Sequence, residues 1–392
     1  MKICLINNTF EPFTSGGAET VIKTIAQALI KRNYEVFIIS TRPALFNKQR
    51  QRLNNASKSL GFKIYFLKSF FYSVLKMPKI FRLPWHFFNM INFISYLKIK
   101  KIITAENPDI IISNNLIGLG FLIPKLIHKF NIKHIQIIHD IQFIHPSGLM
   151  IKNKEDKINS LFSKVYQLIT CRLITADAVV SPSSWLLNLY QKYNFFAKAE
   201  KFIIPNPAIM RPEGIKKNKN DHFFKFLFVG KITEEKGASF LVKAFNDFIL
   251  QANVKLLIVG PGEFSARMSK LIKNNSRIEF LGRLGNNNVI ENMQSCDCLI
   301  LPSLCYENSP TVIYEAASIG LPAIASDIGG SPELINSIGG IIFKAGDSED
   351  LIKKMNWATK NPLPVKNIAE NLRAQIDNCS VGNYINKLER IF

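Results

Sequence analysis

The sequence predicts an α/β protein with two parallel sheets, each buried on both faces. Three observations carry that prediction. Short runs rich in Ile and Val alternate with longer segments of helical period, which is the rhythm of βαβ units. The chain has 392 residues, which suits two domains. A polar stretch without apolar period, PEGIKKNKNDH at 212–222, divides the runs into two sets and reads as a linker.

Taken in order, strands are expected at 2–7, 35–40, 110–113, 134–138, 178–181 and 202–204 before the linker. After it they are expected at 225–229, 255–259, 278–281, 298–301, 322–325 and 340–343. The domains are therefore 1–211 and 223–375, with 376–392 a C-terminal helix packing back toward the first domain. Apolar residues make up 47% and charged residues 20%, so a large core is available and global disorder is excluded. No run of about 18 uncharged apolar residues is present, and no spanning helix is expected. The start, MKICLINNTF, reads as a strand rather than a signal peptide. Six scattered cysteines without a CxxC pair suggest free thiols in a reducing cytoplasm.

Charge is uneven. Fifty Lys and Arg against twenty-nine Asp and Glu leave +21. Residues 1–215 hold 29 basic and 11 acidic side chains, whereas 216–392 hold 21 and 18. Between Glu35 and Glu106 there are thirteen basic residues and no acid. Within 60–101, twelve aromatics from Phe62 to Tyr96 are interleaved with Lys and Arg. Basic heads on aromatic bodies suit an anionic membrane surface, and buried amphipathic helices with solvated lysines are the plainer alternative. No nucleic-acid-binding module is recognised, so a nucleic-acid partner is not expected. An AT-biased composition adds Lys throughout but does not explain the balance of the second half.

The motifs fall just after expected strands, where open α/β sheets bind ligands, and with two such domains the cleft between them is the natural site. Gly16 and Gly17 open a helix at about 18–32, where backbone amides favour a phosphate. Read alone, such a pair is equally an ordinary turn. FLFVGKITEEKG at 226–237 ends a strand at Gly230 and carries Lys231 and Lys236, which suit a diphosphate leaving group or plain solvent. VGPGE (259–263, with Gly262) and FLGRL (280–284, with Arg283) are further strand-end turns, the second placed to read a base edge. In PSLCYENSPTVIYEAASIGLPAIASDIGGSPEL (302–334), Pro310 suits the first turn of a helix that ends at Gly320. Glu307 then lies in the preceding loop and Glu315 about one turn into the helix, both facing a ligand at its N-terminus. IHDIQFIHPSG (138–148) follows a strand and holds His139, Asp140 and His145, with the loop 141–155 facing an acceptor.

ENSPTVIYEAASIGLPAIASDIGG, with GGAE, VGKITEEKG and IIPNP, resembles the retaining glycosyltransferases of family 4, and the likeness covers nearly the whole chain. The resemblance implies the GT-B fold, two Rossmann-like domains with a central cleft. It also implies retaining transfer from a UDP- or GDP-sugar to a glycan or lipid-linked acceptor in surface polysaccharide synthesis. It assigns Gly16 and Gly17 to the donor diphosphate, Lys231 and Lys236 to its phosphates, and Glu315 to the ribose hydroxyls. Glu307 and His139 are placed beside the donor sugar. Asn308, Ser309, Pro310, Thr311 and Val312 supply backbone to sugar and phosphate, with Gly230, Gly262 and Arg283 also on the donor. Asp140 and His145 fall on the acceptor side. The family often has Gly-Phe-Gly after the first Glu, and this chain has Asn-Ser-Pro.

No Asp-x-Asp is present, so no cofactor and no metal are expected, and lysines with a helix N-terminus take that electrostatic role. Localisation is expected to be cytoplasmic, peripheral on the inner face of the bacterial membrane. The alternatives are a GT-B-fold nucleotide-sugar epimerase, which lacks ENSP and the E-x7-E pair, and a catalytically silent donor-binding subunit. Intact Glu307, Glu315, Lys231, Lys236 and His139 argue against the second.

Overall fold

A computed structural model describes residues 1–13, 16–44, 60–210, 222–248 and 253–392; of the expected linker, only His222 lies within the described residues. The chain divides into two compact units. Unit 1 comprises Met1–Leu149, Glu155–Pro207 and Val381–Phe392, and unit 2 comprises Met150–Lys154 and Ala208–Ser380.

Unit 1 runs β1 (Lys2–Ile6), α1 (Gly17–Lys31), β2 (Glu35–Pro43), β3 (Lys63–Ser69), a 3₁₀ turn (Phe71–Lys76), α2 (Lys79–Met90), α3 (Phe93–Glu106) and β4 (Ile110–Ser113). It continues with α4 (Ile123–Lys129), β5 (Lys133–Ile137), α5 (Leu161–Leu173), β6 (Ala178–Ser181), α6 (Ser184–Lys192) and β7 (Glu200–Ile203). Among the described residues its sheet has seven strands in the order β3-β2-β1-β4-β5-β6-β7. Every pairing is parallel, as Ile3 opposite both Val36 and Ile110 illustrates. Such a sheet must be covered on both faces, so β1, β4 and β6 read as near-continuous aliphatic runs.

β3 was not among the expected strands. It is an edge strand that leaves Lys63 and Lys68 exposed and half-buries Ile64, Tyr65 and Phe66. Lysines on an edge deter strand addition from outside, and they also remove the unbroken apolar run that marks a central strand. The first part of the aromatic stretch is thereby absorbed into the fold: Tyr65 packs on Phe37, and Phe66 and Tyr72 on Phe13. Glu106 accepts from Lys2 at 2.7 Å and from Lys63 and Tyr65. These bonds hold its carboxyl down at about 2.

Helix α1 buries Val21, Ile22, Ile25, Ala26 and Leu29, one face at helical spacing. A C-terminal helix (Val381–Glu389) puts Tyr384, Ile385 and Leu388 into the same core. Arg32 at the end of α1 fixes it through Glu389 (2.9 Å) and Asn386 (2.6 Å).

Unit 2 runs β8 (Phe224–Val229), α7 (Ala238–Asp247), β9 (Val254–Val259), α8 (Ala266–Lys273), β10 (Ile278–Gly282), α9 (Asn286–Gln294) and β11 (Cys298–Leu301). Then follow α10 (Thr311–Ser318), β12 (Ala323–Ser326), α11 (Ser331–Ile338), β13 (Ile341–Phe343), α12 (Ser348–Lys360) and α13 (Pro362–Ile376). The sheet order is β10-β9-β8-β11-β12-β13, again parallel throughout. One core lies under α9, α10, α11 and α13, and a second on the opposite sheet face under α7 and α12. The helix expected before Gly320 is α10. It ends where Gly320 takes φ +78° ahead of Leu321 and Pro322. The six cysteines are free thiols, and all but Cys171 are buried. Among the described residues no helix is long and apolar enough to cross a membrane.

Candidate active site

Each sheet reverses its strand order once, between β1 and β4 in unit 1 and between β8 and β11 in unit 2. Loops leaving neighbouring strands diverge there, so a crevice opens at the carboxyl ends of the strands. The motifs singled out in the sequence concentrate at these two points.

In unit 1, Asn7, Asn8 and Thr9 follow β1, and Asn114 and Asn115 follow β4. The two loops are stitched by Asn8 N–H to Asn115 O (2.8 Å) and Asn115 N–H to Asn7 Oδ1 (3.1 Å). Asn114 donates Nδ2–H to the Ile6 carbonyl at 3.3 Å, so its Oδ1 accepts from His139 Nε2 at 2.9 Å. His139 keeps an edge in solvent but is otherwise surrounded by protein. Burial draws its pKa down to about 4, so the ring is neutral near pH 7. Asp140 accepts from Gln142 N–H (2.8 Å) and Asn115 Nδ2–H (3.2 Å), while Gln142 Nε2 donates to Asn115 Oδ1 at 2.6 Å. Burial outweighs both bonds and pushes the Asp140 carboxyl up to about 6.

Glu19, in the first turn of α1, is buried. It accepts from Thr9 Oγ1 at 2.6 Å and from Gly16 N–H at 3.0 Å. Gly16 is extended backbone at φ −164°, which any residue adopts, and a Cβ there would meet only the Glu19 carboxylate at 3.6 Å. A side chain at this position would therefore meet no backbone clash. Gly17 is the first residue of α1. His145 is half-buried, accepts at Nδ1 from Ser147 N–H (3.2 Å) and contacts Ser147 Oγ (2.7 Å); burial lowers its pKa.

In unit 2 the loop after β8 is tied to the loop after β11. Leu304 and Cys305 donate their N–H groups to Glu235 O at 2.9 and 3.0 Å. Gly237 has φ +74°, and a Cβ there would sit 1.9 Å from Pro302 O, so only glycine allows this approach. The tie brings Lys236 Nζ to Glu307 Oε2 at 2.8 Å, and Ser303 Oγ donates to Glu307 Oε1 at 2.5 Å. Burial alone would lower the Lys236 pKa, but the Glu307 carboxylate beside it prevails and the ammonium titrates above its usual range.

The Glu307 backbone is held from behind. Gly330 N–H donates to its carbonyl at 2.7 Å, and a Cβ on Gly329 would lie 2.3 Å from that oxygen. Asn308 is buried, and Ser309 Oγ contacts the Tyr314 hydroxyl at 2.7 Å. Pro310 is the N-cap of α10 and carries no capping side chain, so Thr311 and Val312 open the helix. Glu315 is half-buried one turn further on, between buried Tyr314 and Ala316.

The remaining glycine loops form a ladder beside these groups. Gly230 N–H bonds Val259 O (3.0 Å), Gly260 N–H bonds Gly282 O (2.8 Å), and Ile232 bridges Gly262. Lys231 and Arg283 are exposed, so of the two expected lysines it is Lys236 that is half-buried against Glu307. Among the described residues no three His, Cys, Asp or Glu side chains gather into a metal-holding group.

Glu19, Asn114, Asn115 and Ser303 were not foreseen as site residues. The paired Asn residues at the ends of both β1 and β4 were the available signal. A second unforeseen feature is the segment Met150–Lys154, which belongs to unit 2. Ile151 pairs antiparallel with Cys305, and Tyr306 N–H donates to Met150 O at 2.9 Å, immediately before Glu307. Part of the loop expected to face an acceptor is thus built into the Glu307 loop.

The model of Glycosyltransferase Family 4 matches residues 15–208, and that of Glycosyl transferases group 1 matches 211–375. An uncharacterized 42.6 kDa protein in the cps region of Klebsiella pneumoniae is 27% identical over 386 residues, covering 93% of this chain and 99% of that protein. The fold is similar to Anabaena Alr3699/HepE in complex with UDP, with a TM-score of 0.72 and 18% identity over 100% of this chain and 99% of that one. It is also similar to the apo form of the lipopolysaccharide outer core galactosyltransferase WaaB, with a TM-score of 0.67 and 17% identity over 100% and 99%. At such identities the likeness to solved structures is one of fold.

Proposed function

The chain belongs to glycosyltransferase family 4 and has the GT-B fold, and from that premise we propose that it moves a sugar from a UDP- or GDP-sugar to a glycan or lipid-linked acceptor in surface polysaccharide synthesis. The full-length similarity to a cps-region protein and the structural likeness to a lipopolysaccharide galactosyltransferase support this pathway class. The observation that carries the reading is the Lys236–Glu307 pair, fixed by two glycine-dependent approaches beside the start of α10.

In this reading Lys236 shifts from Glu307 to the donor diphosphate as negative charge develops there, and Lys231 adds its charge from the exposed end of the loop. Glu307 is then available to the donor sugar, Glu315 to the ribose hydroxyls, and the α10 amides to phosphate. His139, neutral, hydrogen-bonds the sugar, and Asp140 with His145 orients the acceptor hydroxyl. Transfer proceeds with retention. The bond from the anomeric carbon to the diphosphate breaks, the acceptor oxygen bonds that carbon on the same face, and its proton passes to the departing diphosphate. No metal and no other cofactor are required. The protein works in the cytoplasm, at the inner face of the membrane.

Donor turnover across UDP-, GDP- and ADP-sugars, with and without chelator, is the test. Release of nucleotide diphosphate from one class, undiminished by chelator, with an acceptor product of retained configuration, is expected. A covalent glycosyl-enzyme or an inverted product would overturn the mechanism, and an epimerised free sugar would overturn the function.

A further inference from the structure

We propose that α2, the start of α3 and the outer face of α5 together form one docking face for an anionic lipid bilayer. The face is apolar at its centre. On α2, Ile80, Phe81, Pro84 and Phe88 lie on one stripe, with Ile80 76% and Phe88 79% exposed. The opposite side of the same helix buries Asn89 and Met90. Ile91, Phe93, Ile94 and Leu97 carry the apolar surface into α3.

The third segment lies some sixty residues beyond the basic aromatic stretch that first suggested a membrane. On α5 the outward residues are Leu161, Lys164, Val165, Leu168 and Arg172, at helical spacing, with Leu161 80% exposed. The rings of Phe87 on α2 and Phe162 on α5 meet edge to face at 5.7 Å, which makes the two exposed stripes neighbours. Large side chains this exposed, on three adjoining helices, form a patch that a monomer in water does not ordinarily present.

Charge selects the occupant. Lys98, Lys100 and Lys101 follow Leu97 on exposed positions of α3, and Lys164 and Arg172 flank the α5 stripe. No acid occurs from residue 36 to 105, and the acids preceding α5, Glu155 and Asp156, stand between Lys154 and Lys157. An apolar stripe rimmed by cations fits the headgroup and acyl boundary of an anionic bilayer, and α2 is too short to span one. A second copy of this chain would set cation against cation.

The face deepens the lipid-linked acceptor reading and rests on it for purpose. Burial draws the His86 pKa on α2 down to about 4, the charge of His145 from the acceptor-side loop adds to that shift, and Leu149 beyond His145 is exposed. A lipid-borne acceptor would thus stand at the same edge of unit 1 as the bilayer.

The test uses the full chain with vesicles of phosphatidylglycerol and phosphatidylethanolamine, and separately with phosphatidylcholine vesicles. Partitioning onto the anionic vesicles is expected, at least about tenfold stronger than onto the neutral ones and weakened by salt. Phe88→Asp and Leu161→Asp should each reduce it about tenfold, while release of diphosphate from soluble donor is retained. No partitioning at low salt overturns the proposal. So does unchanged partitioning by Leu161→Asp, or a dimer that forms without vesicles and is lost in the same variants. Vesicle binding by a protein that turns over no donor would leave the face standing and remove the transferase reading instead.

Discussion

The two switch points differ in their electrostatics. In the strongly basic half of the chain, 29 basic against 11 acidic residues, the candidate site is built from amides, a neutral His139 and an Asp140 whose carboxyl is pushed up to about 6. In the nearly balanced half, 21 against 18, the site holds a formal ion pair, Lys236 with Glu307. Regional net charge is therefore a poor guide to the field at a site. Part of the surplus, Lys98, Lys100 and Lys101 on α3 with Lys164 and Arg172 on α5, sits on exposed positions, where water solvates it and a surface would feel it. In the proposed reaction, Lys236 stands where negative charge develops, and Asp140 and His139 stand where neutral hydroxyls bind.

The comparison breaks first at the ion pair. Lys236→Ala removes the half-buried cation and should lower kcat roughly 10²–10³-fold, the usual cost of losing one preorganised charge in a dry site. Glu307→Gln should cost a similar factor, with folding checked by circular dichroism. The double variant should fall well short of the product of the two, because both changes dismantle one unit. Full additivity in steady-state kinetics would show that the pair is not a functional unit.

The next effect belongs to unit 1. Asp140→Asn should lower kcat/KM for acceptor about 10²-fold while donor hydrolysis into water persists. Its pH dependence has a definite sign. Asp140 moves from an ordinary 3.8 up to about 6, so it is ionised above about pH 6 and protonated below. Acceptor transfer should therefore decline as pH falls through 6, and the Asn variant should lose that limb. Stability runs the other way. Between about pH 4 and 6 the folded chain holds a proton that the unfolded chain has released, so this residue's contribution weakens as pH rises across that window. A wild-type profile flat from pH 7 to 5 would show that Asp140 need not be ionised.

Central strands were legible in the sequence because a parallel sheet covered on both faces demands near-continuous apolar runs, as in IIIS at β4 and CLIL at β11. β3 was not, because an edge strand carries Lys63 and Lys68 and half-buried aromatics that equally suit a helix. Glu307 and Lys236 were legible as motif residues, but their contact was not. It depends on Gly237 approaching Pro302 and on Glu235 O bonding Leu304 and Cys305, contacts between segments far apart in the chain. Glu19 read as an ordinary first-turn carboxylate, because its bond to Thr9 needs the β1 loop folded over the helix start. The apolar face of α5 was hidden for a similar reason: its side chains alternate with buried Ser163, Tyr166 and Thr170, and only the folded chain shows which side faces water.

The smallest effects sharpen the contrast between the Glu307 carboxylate and the neutral His139 ring. Ser303 Oγ–H donates to an ionised carboxylate at 2.5 Å, whereas Asn114 Oδ1 accepts from a neutral imidazole at 2.9 Å. Hydrogen bonds to charged groups contribute about 1.5–3 kcal/mol and neutral ones about 0.5–1.5 kcal/mol. Ser303→Ala should thus slow turnover about tenfold, chiefly in kcat, since Lys236 holds Glu307 near its place only until it shifts to the diphosphate. The same change made in Lys236→Ala should cost more, because Glu307 then loses both of its anchors. Asn114→Ala removes one bond from the His139 ring but leaves it neutral, and should cost only a few-fold, mostly in KM. If Asn114→Ala proved as costly as Ser303→Ala, the bond to His139 would be carrying charge after all, and His139 would have to be protonated when donor is bound.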